Sequence, residues 1–271
     1  MKGLTTTLVT CVLVVSPMLA LADETTHEGK AGIVREEPHY SLTGNLALTS
    51  NYVFRGISQT FDDPAIQGGF DYAHASGFYL GTWASNVTSA SFSNASLEWD
   101  FYAGYSGKIN DDFSYNVGLL EYYYPGGRTN TTPSEEYNTL EAFAGVTYKF
   151  FNVKYSSTLT DYFGVNRNNP PTGGVANGDS KGSGYLEANA NFELPQSVIL
   201  GLHVGHQRVE NYGILDYTDY KVGLTKAFGG FNFGLAYTNT NANSVPYTVT
   251  KGTDTEDISD GVFTLSVGKT F

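Results

Sequence analysis

The chain has 271 residues, with 15 Lys and Arg against 27 Asp and Glu, a formal net charge of -12, and 15% charged residues where soluble domains average about 25%. This acidity excludes the basic face that nucleic-acid binding requires, and a single cysteine, Cys11, excludes a disulfide framework. Glycine, tyrosine and phenylalanine are abundant (31, 20 and 17), yet no apolar run after the first 22 residues approaches the ~20 residues of a membrane-spanning helix.

The amino terminus reads as a secretory signal peptide over residues 1–22. Lys2 supplies a positive start, Leu8 to Leu19 an apolar run, and Ala20-Leu21-Ala22 a small-x-small cleavage site before Asp23. Leu8-Val9-Thr10-Cys11 faintly resembles a lipoprotein box, but Cys11 lies inside the apolar run rather than after it. Cleavage between Ala22 and Asp23 would remove the only thiol, and with it thiolate metal sites and cysteine catalysis. Residues 23–39 are polar, charged and aperiodic, as expected of a flexible periplasmic lead-in.

From Tyr40 the sequence becomes a series of alternating segments about ten residues long. Twelve are expected, at 41–55, 65–75, 77–87, 96–106, 113–124, 137–149, 151–163, 183–193, 198–209, 217–227, 231–241 and 258–271. In Leu97-Glu98-Trp99-Asp100-Phe101-Tyr102-Ala103-Gly104-Tyr105 the odd positions are apolar and mostly aromatic, while two carboxylates occupy even ones. A strand sends these two sets to opposite faces. In 77–87 the facing is ambiguous, because Phe78 and Leu80 compete with Tyr79 and Trp83 for the outside. Connections after the even strands are short, and those after the odd strands are mostly longer and polar. That rhythm predicts an all-β fold, a transmembrane antiparallel up-and-down β-barrel over residues 40–271, exposed to outer-membrane lipid. A secreted β-sandwich also alternates, but its outward face should be polar and its turns without a long-short rhythm.

The last segment places Phe263, Leu265, Val267 and terminal Phe271 on one face. A strand ending on phenylalanine resembles the assembly signal of bacterial outer-membrane proteins, which implies the barrel-assembly machinery as a partner. Lys269 interrupts that face near its end, where its ammonium can snorkel to the interface.

One stretch is more specific. Leu48-Thr49-Ser50-Asn51-Tyr52-Val53-Phe54-Arg55-Gly56-Ile57-Ser58-Gln59-Thr60, followed by Gln67-Gly68-Gly69-Phe70-Asp71-Tyr72 and Gly77 to Val87, resembles the amino-terminal signature of the TorF porin family of proteobacterial outer-membrane proteins. The resemblance implies location and barrel fold, with a porin role attached to the family. On parity, Tyr52 and Phe54 are expected on the outer face in an aromatic girdle, with Arg55 and Asp71 facing inward as a pair. Such a pair would stabilise the interior or tune selectivity.

The expected lumen-facing residues are Arg55, Asp71, Glu98, Asp100, Glu141, Lys154, Glu187, Asp219 and Lys221, with small polar residues between them. This lining predicts passive diffusion of small hydrophilic solutes or ions, and its excess of acids predicts a weak cation preference. Tyr102, Tyr122 and Tyr185 could plug the lumen as readily as line it. The alternatives are a structural or adhesive barrel acting through its extracellular loops and, less favoured, a barrel hydrolase using His203. His203 and His206 fall on opposite faces and so cannot share a metal. The loop acids Asp62-Asp63 and Asp254 to Asp257 lack calcium-loop spacing, and Asn177 to Gly182 lacks a phosphate-loop context. No catalytic, metal or cofactor site is expected.

Overall fold

The computed structural model describes residues 39–271, so the expected leader, the Ala22–Asp23 cleavage point and nearly all of the lead-in lie outside the described residues. Alternation of large apolar and small polar side chains produces long paired strands throughout. In chain order these are β1 (Tyr40–Thr49), the two-residue strands β2 (Val53–Phe54) and β3 (Ile57–Ser58), β4 (Ala65–His74), β5 (Phe78–Asn86) and β6 (Leu97–Lys108). There follow β7 (Phe113–Tyr123), β8 (Thr139–Tyr148), β9 (Phe151–Thr158), β10 (Gly184–Leu194), β11 (Val198–Arg208), β12 (Tyr217–Phe228) and β13 (Phe231–Thr240). The short strands β14 (Thr248–Lys251) and β15 (Asp254–Asp257) precede β16 (Val262–Thr270).

Twelve of these form one closed antiparallel barrel, while β2/β3 and β14/β15 are separate two-stranded hairpins. Closure removes every sheet edge, the condition for strands to cross hydrocarbon without unpaired backbone groups. The seam runs between β1 and β16, with Asn45 opposite Thr270 and Thr49 opposite Ser266. Phe271 extends it: its N–H donates to the Gly44 carbonyl at 2.9 Å, and the Gly44 N–H donates to the Phe271 carbonyl at 2.8 Å. Glycine is required opposite that terminal ring, because a Cβ at Gly44 would stand 2.7 Å from it.

The outer surface carries Leu42, Leu46, Leu48, Phe70, Phe101, Leu119, Val222, Leu235 and Leu265, all exposed. Water would not tolerate so continuous an apolar band; a bilayer does. The ambiguity of the second hairpin resolves with Phe78 and Leu80 outside and Tyr79 inside, 2% exposed, where its hydroxyl donates to Asn116 Oδ1 at 2.7 Å. Buried phenols need such a partner, and lipid offers none.

Three expected strands were drawn too long. β1 ends at Thr49 rather than 55, β9 at Thr158 rather than 163, and β16 begins at Val262 rather than 258. In each case the chain leaves the wall and turns into the barrel, burying Tyr52, Tyr162 and Ile258. The apolar pattern continues there because the lumen-filling segments are packed, not because the wall continues.

Candidate functional site

The connections at one end of the barrel are brief, such as those around Ser76, between Tyr148 and Phe151, and at Gly229-Gly230. At the other end the loops are long, and the first of them, residues 50–64, folds inward. Its core is the hairpin β2/β3, with Val53 opposite Ser58 and Phe54 opposite Ile57. The two residues between, Arg55 and Gly56, have φ of 47° and 85°. Two successive positive φ values match the twist of a tight hairpin, and glycine at the second position carries no Cβ penalty.

The rest of the motif fastens this hairpin. Asn51 Oδ1 accepts from Ser58 Oγ at 2.8 Å and Thr60 Oγ1 at 3.0 Å, while its Nδ2 donates to Asp62 Oδ1 at 2.6 Å. The Ser58 N–H donates to the Ile258 carbonyl at 2.8 Å, and Lys251 pairs with Asp63, so the last loop grips the first. The tip spans the lumen: a Cβ on Gly56 would lie 2.4 Å from Thr240 and 2.7 Å from Asp219, on the far wall.

This overturns the expected placement of the aromatic pair. Tyr52 is fully buried, not in an outer girdle, and its hydroxyl donates to Glu98 Oε1 at 2.7 Å. Phe54 also turns inward and packs edge-on to Tyr122 at 5.4 Å. Parity fails here because a hairpin within the lumen has protein on both faces.

The expected Arg55–Asp71 pair does not form either. Arg55 reaches across the barrel to Glu141 in a two-pronged pair, Nη1 to Oε1 at 3.0 Å and Nη2 to Oε2 at 2.7 Å, and Nη1 also donates to Gln207 Oε1 at 3.0 Å. Its guanidinium lies 4.2 Å from the Tyr185 ring centre and 4.8 Å from that of Phe54. Planar, delocalised arginine suits this combination of fork and stack. Asp71 instead accepts from the Tyr102 hydroxyl at 2.6 Å.

The remaining inward charges fall into two groups. In the first, Glu98 accepts from Tyr52 and, at 2.8 Å, from Tyr124, while buried Asp100 keeps one oxygen, Oδ1, without a hydrogen-bond partner among the described residues. In the second, Lys154 pairs with Glu187 at 2.8 Å, and Asn189 Nδ2 donates to Glu187 Oε2 at 3.1 Å. His203 lies between Asn189 Oδ1 at 2.7 Å and Asp219 Oδ1 at 2.9 Å, and Tyr185 donates to Asp219 Oδ2 at 2.8 Å. His206 is exposed on the outer face, its Nδ1 3.0 Å from Thr218 Oγ1. Lys221, opposite His203 in the register, has no hydrogen bond or ion pair among the described residues.

The three tyrosines divide the lumen unevenly. Tyr102, Tyr122 and Tyr185 all face inward on carboxylates, with Tyr122 Oη 3.4 Å from Glu141 Oε2. Around β5 to β8 the interior is filled by Tyr79, Trp83, Tyr122 and Phe143, joined by loop residues Tyr52, Phe92 and Phe163. Toward the short-turn end of β11, β12, β13 and β16 the inward positions are instead mostly small, Gly201, Gly223, Gly234, Ala236 and Gly268, with Ile199 and Thr225 buried among them. Strands about 4.8 Å apart and tilted by about 40° give twelve-stranded closure a backbone radius of roughly 12 Å.

Gln207, Tyr124 and the hairpin itself were not among the residues expected in the lumen. The detectable signal was the Arg55-Gly56 dipeptide within an alternating run, a weaker hairpin mark than Asn-Gly.

A family model described as "Bacterial protein of unknown function (Gcw_chp)" matches residues 35–271. The residues that carry the TorF resemblance, 48–87, lie within that match. No curated protein matches the sequence. Among solved structures, a KdgM porin superposes with TM-score 0.52 at 11% identity, covering 84% of this chain and 99% of its own. A KdgM porin in complex with disordered oligogalacturonate gives 0.51 at 11%, covering 85% and 99%. A NanC porin gives 0.49 at 10%, covering 84% and 98%. At these identities the KdgM likenesses establish a shared fold, a twelve-stranded porin-type barrel.

Proposed function

The chain belongs to the bacterial Gcw_chp family, and on that footing we propose that it is an outer-membrane channel for passive diffusion of small hydrophilic solutes, narrowed by the β2/β3 hairpin. The observation that carries this reading is the asymmetry of the lumen. One side is packed with aromatic rings, whereas the other is lined mainly by glycine, alanine, serine and threonine. The apolar exterior and the porin-type fold support membrane insertion. One KdgM structure holds an oligogalacturonate, a hydrophilic solute of the general kind proposed here. The terminal strand, closing on Phe271, is proposed as the segment read by barrel-assembly machinery, and the outer band as its lipid contact.

The weak cation preference rested on a count of inward acids. Glu141 pairs with Arg55 and Glu187 with Lys154, while Glu98 accepts two phenol hydroxyls. With these acids held in contacts inside the packed lumen, their number alone does not support a cation preference. The test of the channel is single-channel recording from the refolded protein in a planar bilayer. Discrete, salt-dependent steps are expected. Silence from protein whose folding is confirmed by heat-modifiable gel migration would reject the channel in favour of a structural or adhesive barrel. The loop end, packed into aromatic clusters around Tyr137, Tyr212 and Tyr217, favours that second reading.

A further inference from the structure

The outer wall carries two lysines near its short-turn end. Lys226 of β12 and Lys269 of β16 are both exposed, on the outward parity of Leu224 and Leu265. The strand between them, β13, sets their spacing: Lys226 stands opposite Phe233, and Phe233 opposite Val267, two residues before Lys269. Two strand spacings of about 4.8 Å and two residues of about 3.4 Å put the lysine Cα atoms roughly 12 Å apart. Lys269 Nζ lies 5.4 Å from the centre of the Phe231 ring. Neither ammonium has a hydrogen bond or ion pair among the described residues. The outward positions of β11, β12, β13, β16 and β1 include no Asp or Glu that would offset them. Beside Lys226 a groove of about 710 Å³ crosses the same wall, lined by exposed Leu48, Leu224, Phe233, Leu235 and Leu265, with Val267 and Lys226 itself.

We propose that this patch binds an anionic phospholipid of the periplasmic leaflet, its phosphodiester between Lys226 and Lys269 and an acyl chain in the groove. The inference rests on the outer-membrane reading of the barrel and not on conduction. Short turns face the periplasm in such barrels, so this end meets the headgroups of that leaflet. Exposed Phe228, Phe231 and Phe233 surround the lysines, as an aromatic girdle does at the membrane–water interface. An extended lysine reaches about 6 Å from its Cα, so the two ammoniums can converge on one phosphate across their separation. Both then make charge-assisted hydrogen bonds to it. The Phe231 ring orients Lys269 by cation–π attraction while leaving its N–H groups free to donate. A zwitterionic headgroup would bring its own cation to two lysines that no outward acid offsets, so a net negative headgroup is favoured. The apolar groove supplies the second element of recognition, because it removes a hydrocarbon chain from bulk lipid at a fixed place beside the charge.

The test is native mass spectrometry of the purified protein in detergent, titrated with dioleoyl phosphatidylglycerol or dioleoyl phosphatidylcholine. The wild type should retain phosphatidylglycerol in preference to phosphatidylcholine. Each lysine near an anionic headgroup is worth about fivefold, so Lys226→Gln with Lys269→Gln should weaken phosphatidylglycerol binding roughly 25-fold. The same pair changed to Arg should keep it. Lys181→Gln, an equal loss of charge in a loop at the opposite end, should leave the preference intact. Equal retention of the two lipids by the wild type would overturn the site, and needs no variant to fold. Equal phosphatidylglycerol binding by the wild type and the double Gln variant would overturn it as well. Absence of any lipid retention would overturn the site together with the membrane reading of the wall. A lysine-dependent preference in a barrel that passes no current would keep the site and reject the channel.

Discussion

Removing the Arg55 guanidinium should free the lumen hairpin. Arg55 and Glu141 side chains are 7% and 2% exposed, and two direct bonds at 2.7 and 3.0 Å join them. Among the described residues Arg55→Ala leaves the Glu141 carboxylate with only the long contact to Tyr122, and it also removes the stack on Tyr185. Stranding one member of a buried pair costs about 3–5 kcal/mol. At 1.4 kcal/mol per decade, that lowers the ratio of docked to undocked hairpin by roughly 10² to 10⁴-fold. The hairpin base remains fastened through Tyr52 and Ser58, so the tip should loosen before the barrel does. The expected readout is a larger unitary conductance, or frequent large openings, and new protease cleavage near Gly56. Arg55→Ala combined with Glu141→Ala should destabilise less than the single changes sum to, because no charge is left unpaired. Unchanged conductance and unchanged protease resistance in folded Arg55→Ala would refute the claim that this pair holds the hairpin.

Other outcomes follow from the same contacts. Gly56→Val should also displace the tip, since a side chain at φ 85° is strained by about 1–2 kcal/mol and would meet Thr240; conductance should resemble that of Arg55→Ala. Gly44→Val should destabilise the barrel seam by about 1–3 kcal/mol through overpacking against Phe271, lowering the temperature at which gel migration shifts. Deleting Phe271 removes two backbone bonds to Gly44, each worth about 0.5–1.5 kcal/mol, and should slow barrel assembly in refolding assays. Tyr52→Phe takes one donor from buried Glu98, costing about 1–3 kcal/mol, and an unchanged melting temperature would count against the Glu98 bond.

Sequence alone determined the wall. Residues such as Leu97 to Tyr105 or Phe231 to Tyr237 can satisfy an apolar exterior and a polar interior only as strands, and the alternation of short and long connections then set twelve strands and both ends. Terminal Phe271 and the inward parity of Glu98, Glu141, Glu187 and Asp219 were legible for the same reason, since the period of two is local. What crosses the lumen was decided by tertiary structure. Nothing in the spacing of Arg55 and Glu141, 86 residues apart, indicates that they meet, because the meeting depends on how a closed sheet brings β8 opposite the first loop. Tyr52 and Phe54 keep the strand alternation yet lie inside, because within a barrel the interior itself supplies a second buried surface. Pairing across that space is a property of the closed cylinder and not of any single strand.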